Sequence, residues 1–215
     1  MRAYAVLGPW RGGTSLVTGI LRALGVYVGD EFLEANTGYC TFEDVGLREV
    51  CLNAFDERPG CWRYGGTPES RVDQLRFWIR TARERADALG CVACGGKHAV
   101  MCKLVDELEQ AWTVPGETEF TAISVMRSVE GVHRSWTRPV RKDGGHWWPR
   151  PDRLDVVDDL IRSRDRSLAS RPHIGVDFDR LRTDPEATIS QLARECGLPV
   201  AKIPTAVAMV QHQRR

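Results

Sequence analysis

The chain has 215 residues, of which 42% are hydrophobic and 27% are charged. This composition is ordinary for a globular protein, and it excludes a collagen-like or an intrinsically disordered chain. Thirty Lys and Arg residues are balanced by 29 Asp and Glu residues, which leaves a formal charge of +1. Because no global field attracts nucleic acid or an acidic membrane, an anionic ligand must be held by a local arrangement.

The length suits one domain, and we expect residues 1–215 to form it. No apolar run approaches the roughly 18–20 residues of a membrane-spanning helix, and the N-terminus lacks the pattern of a secretory signal. We therefore expect a cytoplasmic protein whose seven cysteines are free thiols. Cys91 and Cys94 form a CxxC pair without a second such pair, which favours two thiols in a loop over a zinc or redox site.

Helices and strands are predicted to alternate along the chain. In chain order they are a strand at residues 2–8, a helix at 14–24, an extended segment at 26–28, helices at 43–55 and 68–89, a strand at 98–102, a short helix ending at 112, a strand at 120–126, helices at 129–136 and 154–169, a strand at 174–178 and a helix at 185–196. Such alternation is typical of a parallel sheet covered on both faces, so the predicted fold is a three-layer, doubly wound α/β domain. Ligands of such sheets bind at the carboxyl ends of the strands.

A glycine-rich segment joins the first predicted strand to the first predicted helix, with the sequence Gly8-Pro9-Trp10-Arg11-Gly12-Gly13-Thr14-Ser15. Inward-facing backbone amides and a helix N-terminus make such a segment suitable for a phosphate. Its glycines match the spacing of the nucleotide-triphosphate pattern GxxxxGK[ST], but Thr14 stands at the lysine position. Since kinases and NTPases use that lysine on the β- and γ-phosphates, the segment favours a ligand with one phosphate in the cradle. An ordinary tight strand-to-helix turn is the alternative.

Three groups of residues resemble those of bacterial-type sulfotransferases, which use 3′-phosphoadenosine 5′-phosphosulfate (PAPS). The first group is the glycine-rich segment with Leu24-Gly25-Val26 and with Asn36-Thr37-Gly38-Tyr39 before Glu43-Asp44; the second is Arg127 with Ser135; the third is Phe178-Asp179-Arg180-Leu181 with Asp184-Pro185-Glu186 and Gly197-Leu198-Pro199. The groups occur in the family's order and span most of the chain. The resemblance implies a P-loop-like fold and transfer of a sulfuryl group from PAPS to a hydroxyl or amine, without a metal.

The resemblance also implies two sets of nucleotide-binding residues. The set for the 5′-phosphosulfate is Arg11, Gly12, Gly13, Thr14 and Ser15, and the set for the 3′-phosphate is Arg127 and Ser135. Two positions depart from the family pattern, because Gly12 stands where serine is usual and Arg11 stands where many members have lysine. Negative charge grows on the bridging oxygen as the sulfuryl group leaves, so Arg11 is also expected to be catalytic.

An acceptor hydroxyl needs a general base, and Glu43 is the first candidate because it follows the Asn-Thr-Gly-Tyr segment. Asp44, Glu34 and His146 are further candidates for this role. Lys103, at the end of the predicted strand 98–102, resembles a lysine that the family places near the sulfate, and we expect it to be catalytic.

Residues 138–153 combine cations with Trp, Pro and Gly, and we interpret them as a lid over the nucleotide or the acceptor rather than as a nucleic-acid surface. The expected acceptor is a small molecule or a glycan, with no nucleic-acid or membrane partner. Two alternative functions stay open at this point. They are a small-molecule kinase or nucleotide hydrolase with an atypical phosphate loop, and a nucleotide-binding module without catalytic activity.

Overall fold

Helices and strands alternate through almost the whole of the computed structural model, which describes residues 1–34, 40–55, 63–137 and 154–212. The first elements are β1 (Arg2–Leu7), α1 (Thr14–Ala23), β2 (Val26–Tyr27), β3 (Phe32–Glu34), β4 (Cys40–Asp44), α2 (Val45–Asn53) and α3 (Pro68–Ala88). They are followed by β5 (Ala93–Gly96), α4 (Val105–Trp112), β6 (Glu119–Met126), α5 (Val129–Trp136), α6 (Leu154–Leu168), β7 (His173–Asp177), α7 (Phe178–Thr183), α8 (Pro185–Cys196) and α9 (Ile203–His212). Short 3₁₀ helices cover Ala99–Lys103 and Val200–Lys202.

A parallel sheet with the strand order β2-β5-β1-β6-β7 forms the middle layer. The chain leaves β1 for β2, returns to β5 on one side of β1, and then forms β6 on the other side. The carboxyl ends of β5, β1 and β6 therefore meet where the order of strands reverses, which is the position where doubly wound sheets bind their ligands. Strands β3 and β4 pair with each other as a separate antiparallel ribbon.

Alternate side chains of β1 enter two different hydrophobic cores, as the two-residue repeat of a strand requires. Ala3, Ala5 and Leu7 pack with α2, α3, α4 and α6 on one face of the sheet. Tyr4 and Val6 pack with α1, α7, α8 and α9 on the other face. Both faces are thus covered by helices, and the predicted three-layer, doubly wound α/β class is confirmed.

The predicted strand at residues 98–102 is wrong. The strand in this region is β5, and residues 99–103 form a 3₁₀ helix instead. The sequence of β5 is Ala-Cys-Gly-Gly, and glycines are poor strand formers, so residue preference did not indicate it. The glycine at 95 allows a close approach of β1, because a Cβ there would collide with the carbonyl oxygen of Tyr4. The predictions also omitted β3, β4, α7 and α9.

Within the described ranges, none of the helices is long and apolar enough to cross a membrane.

Candidate functional site

The glycine-rich loop connects β1 to α1 at the carboxyl edge of the sheet. The amide of Gly12 donates to the carbonyl oxygen of Pro9 at 2.9 Å and closes a tight turn. Gly13, the N-cap of α1, has a left-handed φ of 95°. The amide of Leu16 donates to the carbonyl oxygen of Gly13 at 3.1 Å. Glycine has no side chain that could accept from the amides of Thr14 and Ser15, so these two amides suit a ligand, and the helix dipole adds positive potential.

Gly12 occupies the position at which the sulfotransferase pattern usually has serine, and the loop explains why glycine stands here. A Cβ at Gly12 would lie 2.8 Å from the carbonyl oxygen of Pro9 and 2.9 Å from its Cδ. The turn therefore has no room for a side chain at this position. Of the neighbouring predicted ligands, Thr14 is buried and Ser15 is half-buried in the first turn of α1.

Arg11 adopts a left-handed φ of 64°, which is unusual for a residue with a side chain. Its backbone is held by Arg127, whose Nη1 donates to the carbonyl oxygen of Arg11 at 2.7 Å. Arg127 directly follows β6, so the structure brings two of the predicted cations together at the edge where ligands bind. Burial lowers the pKa of Arg11, although the pKa of an arginine is so high that the guanidinium stays charged.

Ser135, the second predicted ligand of the 3′-phosphate, lies half-buried in the last turn of α5. The next residue, Trp136, is buried and contacts Trp10 of the loop, with ring centroids 6.2 Å apart. The end of α5 therefore packs on the glycine-rich loop. This packing places Ser135 on the element beside the loop, and its role in binding stays a prediction.

A buried ionic cluster adjoins the loop from the side of β5. Lys97 Nζ donates to Glu43 Oε1 at 3.1 Å, and the exposed fractions of Glu43, Lys97 and His98 are 9%, 5% and 3%. Lys97 and His98 follow β5 directly, at the same sheet edge as the loop. The His98 ring meets Trp10 edge-on, with centroids 6.2 Å apart. The cluster is thus connected to the loop through one aromatic contact.

The ionisable groups of this cluster shift one another's pKa values. Burial raises the pKa of Glu43, but the charge and hydrogen bond of Lys97, with a contribution from Arg48, outweigh burial and hold that pKa below its usual range. Burial lowers the pKa of His98 to about 4, against the opposing effect of Glu43. His98 is therefore a neutral imidazole near pH 7. Its Nδ1 atom is buried without a hydrogen-bond partner among the described residues.

Asp44, a further candidate for the base, has a structural role that accounts for its burial. Its Oδ1 accepts from the amide of Leu47 at 2.8 Å as the N-cap of α2, and from Trp78 Nε1 at 2.9 Å. Glu34 ends β3, but its side chain lies outside the described residues. The whole of His146 also lies outside them.

Lys103 lies at the end of the 3₁₀ helix and not at the end of a strand. Its Nζ pairs with Asp159 at 2.6 Å and contacts Ser163 Oγ at 3.2 Å. It lines a cavity of about 470 Å³ together with Tyr64 and Arg71. The first cation after β5 is Lys97, so the reasoning from a strand end applies to Lys97 instead of Lys103. Residue preference gave no signal of this, because the strand before Lys97 is Ala-Cys-Gly-Gly.

The CxxC pair is divided between two environments. Cys94 lies inside β5, and burial raises the pKa of its thiol to about 12, so it is an unreactive core residue. Cys91 is half-buried before the strand. In the parts of the chain that the structure describes, no three His, Cys, Asp or Glu side chains are grouped to hold a metal ion.

No protein-family model and no curated protein matches the chain in sequence. Among solved structures, the sulfotransferase domain of the olefin synthase of Synechococcus PCC 7002 is similar, with 16% identity and a TM-score of 0.53 over 94% of this chain and 75% of that one. A sugar kinase from Janibacter sp. HTCC2649 is similar with 18% identity and a TM-score of 0.52 over 94% of this chain and 98% of that one. A sulfotransferase domain from the curacin biosynthetic pathway has 11% identity and a TM-score of 0.49 over 94% of this chain and 76% of that one. The chain therefore has a P-loop-like α/β fold that a sulfotransferase domain and a kinase share.

Proposed function

We propose that the chain is a sulfotransferase that uses PAPS and transfers its sulfuryl group to a hydroxyl or amine of a small molecule or glycan. The observation that carries the proposal is the contact between Arg127 and the backbone of Arg11, beside the uncapped N-terminus of α1. This arrangement combines the first amides of α1, a left-handed glycine and two cations at one sheet edge, which suits a nucleotide with separate 5′ and 3′ phosphates. The similarity to a sulfotransferase domain supports it at the level of fold.

In the proposed reaction the acceptor oxygen forms a bond to sulfur while the bond from sulfur to the bridging oxygen breaks. The electron pair of the broken bond stays on the phosphate of adenosine 3′,5′-bisphosphate, and the acceptor proton passes to a base of the protein. Arg11 and the amides of Gly13 to Ser15 stabilise the charge that grows on the bridging oxygen. Arg127 and Ser135 hold the 3′-phosphate, and the reaction balances without a metal.

Two groups of the buried cluster are candidates for the base. Glu43 Oε1 already accepts from Lys97, and the pKa values of Glu43 and His98 are both lowered, so basicity does not separate the two groups. His98 is neutral and has a ring nitrogen without a described partner, so we assign proton transfer to His98. Glu43 then acts as a positioning residue for Lys97 and His98. Lys97 takes the role that the sequence assigned to Lys103.

A small-molecule kinase is the second candidate, because a sugar kinase has the same fold. Thr14 at the position of the essential lysine opposes it. Thermal unfolding with adenosine 3′,5′-bisphosphate, compared with ATP plus magnesium, separates the two. A nucleotide at about 100 times its dissociation constant adds roughly 2.7 kcal/mol to the free energy of unfolding. Stabilisation by the bisphosphate alone supports the sulfotransferase, whereas stabilisation by ATP alone contradicts it. Binding of bisphosphate without sulfuryl transfer to any acceptor would leave a nucleotide-binding module.

A further inference from the structure

Phe178, the first residue of α7, contacts both halves of the proposed nucleotide site. Its ring lies against Gly13, where a Cβ would overlap the ring atoms. The guanidinium carbon of Arg127 lies over the same ring, 4.7 Å from its centroid. One aromatic side chain therefore contacts the N-cap of α1 and the cation that follows β6.

The backbone around Phe178 is held firmly. Asp177, at the end of β7, caps α7 by accepting from the amides of Asp179 and Arg180 at 2.9 and 3.0 Å. The Phe178 side chain is 9% exposed and packs in the core beneath α7 and α8. Because the ring is fixed by its own helix, it can restrain the two groups that lie against it.

The cation–π contact with Phe178 restrains the position of the Arg127 guanidinium. The guanidinium carbon lies over the ring of Phe178, while the N–H groups of a guanidinium point outward in its plane, where anions bind. One of those groups donates to the carbonyl oxygen of Arg11. Gly13, Phe178, Arg127 and Arg11 thus form a closed series of contacts between the two phosphate positions.

We propose that Phe178 is a positioning residue that couples the 3′-phosphate position at Arg127 to the loop that holds the 5′-phosphosulfate. The proposal rests on the proposed function for its ligand, but the coupling itself is a property of the protein. When the ring is lost, Arg127 loses its support, and the backbone at Arg11 and Gly13 loses two restraints together. Loss of the ring should therefore weaken the binding of both phosphates, and that of the 3′-phosphate more strongly.

The first test needs no nucleotide. Phe178→Leu keeps an apolar side chain but removes the ring, Phe178→Tyr keeps the ring, and Leu181→Ala removes a fully buried side chain one turn along the same helix. Trypsin cleavage after Arg11 and Arg127 is followed by mass spectrometry below the unfolding transition. We expect faster cleavage at both bonds in Phe178→Leu, rescue in Phe178→Tyr, and slower cleavage in Leu181→Ala than in Phe178→Leu at matched stability. Equal cleavage in Phe178→Leu and Leu181→Ala would overturn the coupling.

The second test uses calorimetric titration with adenosine 3′,5′-bisphosphate and with adenosine 5′-monophosphate. We expect Phe178→Leu to weaken binding of the bisphosphate about tenfold and binding of the monophosphate about threefold or less, as the loss of one cation–π contact predicts. Phe178→Tyr should bind both nucleotides like the wild type. Equal losses for both nucleotides would overturn the 3′-phosphate assignment. If the wild type binds neither nucleotide, the proposed function fails, and the cleavage rates alone decide the coupling.

Discussion

Arg127 Nη1 donates to the carbonyl oxygen of Arg11 at 2.7 Å, so the residue predicted to bind the 3′-phosphate also supports the loop predicted to bind the 5′-phosphosulfate. Ser135 lies on α5, which packs on the loop through Trp136. Arg127 is therefore hydrogen-bonded directly to the loop predicted to bind the 5′-phosphosulfate, whereas Ser135 is connected to that loop through its neighbour Trp136. Substitutions at the two positions should consequently differ in their selectivity.

Replacing Arg127 should weaken the binding of both PAPS and adenosine 5′-phosphosulfate, whereas replacing Ser135 should weaken the binding of PAPS alone. We expect Arg127→Ala to weaken binding of PAPS by about ten- to a hundredfold, and Ser135→Ala by several-fold, because hydrogen bonds to charged groups are the stronger ones. Adenosine 5′-phosphosulfate, which lacks the 3′-phosphate, should bind several-fold more weakly to Arg127→Ala and normally to Ser135→Ala. Calorimetric titration gives all the values. Normal binding of adenosine 5′-phosphosulfate to Arg127→Ala would show that the contact with Arg11 does not support the loop.

Replacing Arg11 should lower the rate of sulfuryl transfer more than the affinity for the nucleotide. Its charge is needed where negative charge grows during bond breaking, so Arg11→Ala should lower the rate of sulfuryl transfer by on the order of a hundredfold. Arg11→Lys, which keeps a cation at the same left-handed position, is the matched control and should retain more activity. Single-turnover rates and nucleotide affinities are measured on the same variants. A loss of affinity as large as the loss of rate would make Arg11 a binding residue only.

The pair of Lys97 and Glu43 should be strongly coupled, because both side chains are buried, with exposed fractions of 6% and 12%. Removing one partner of a buried pair leaves an uncompensated charge and costs about 3–5 kcal/mol. We expect Glu43→Gln and Lys97→Gln each to lower the free energy of unfolding in urea, and the double variant to lose less than the sum. Lys103→Gln is the comparison, since its partner Asp159 is 35% exposed and the expected loss is about 1 kcal/mol or less. Additive losses for Glu43 and Lys97 would contradict the coupling.

His98 should make the protein less stable in mild acid. Its pKa is about 4 in the folded protein and 6.5 in the unfolded chain. Between these values the unfolded chain binds the proton and the folded protein does not, so the free energy of unfolding falls as the pH falls from 6.5 to 4. At pH 4 the free energy of unfolding is lower by on the order of 3 kcal/mol, and above pH 6.5 the protonation of His98 no longer changes it.

Urea unfolding at several pH values tests this dependence. His98→Gln should give a flatter curve across the interval, while His173→Gln, at an exposed histidine, should follow the wild type. An unchanged slope in His98→Gln would mean that the pKa of His98 is the same in the folded protein and in the unfolded chain. In that case burial would not be what keeps the His98 ring neutral near pH 7.

The sequence by itself determined the parts of the protein that local patterns encode. The glycine-rich segment between β1 and α1, the helical spacing in α1, α3 and α8, and the strand β6 were all predictable, because backbone conformation and hydrophobic periodicity depend on neighbouring residues. The expectation that ligands bind at the carboxyl ends of strands also indicated Arg127. The same expectation failed at Lys103, because the two glycines of β5 gave no strand signal; Gly95 lets β1 approach closely, and Gly96 leaves room for the side chain of Leu47.

Only the tertiary structure decided which distant residues meet at the sheet edge. Glu43 and Lys97 are 54 positions apart, and Arg11 and Arg127 are 116 positions apart. Phe178 joins Gly13 and Arg127 from a third part of the chain. These contacts arise from the reversal of strand order beside β1, and such long-range geometry leaves no periodicity in the sequence. The buried state that lowers the pKa of His98 has the same origin, because burial is a property of the packed layers and not of the residue.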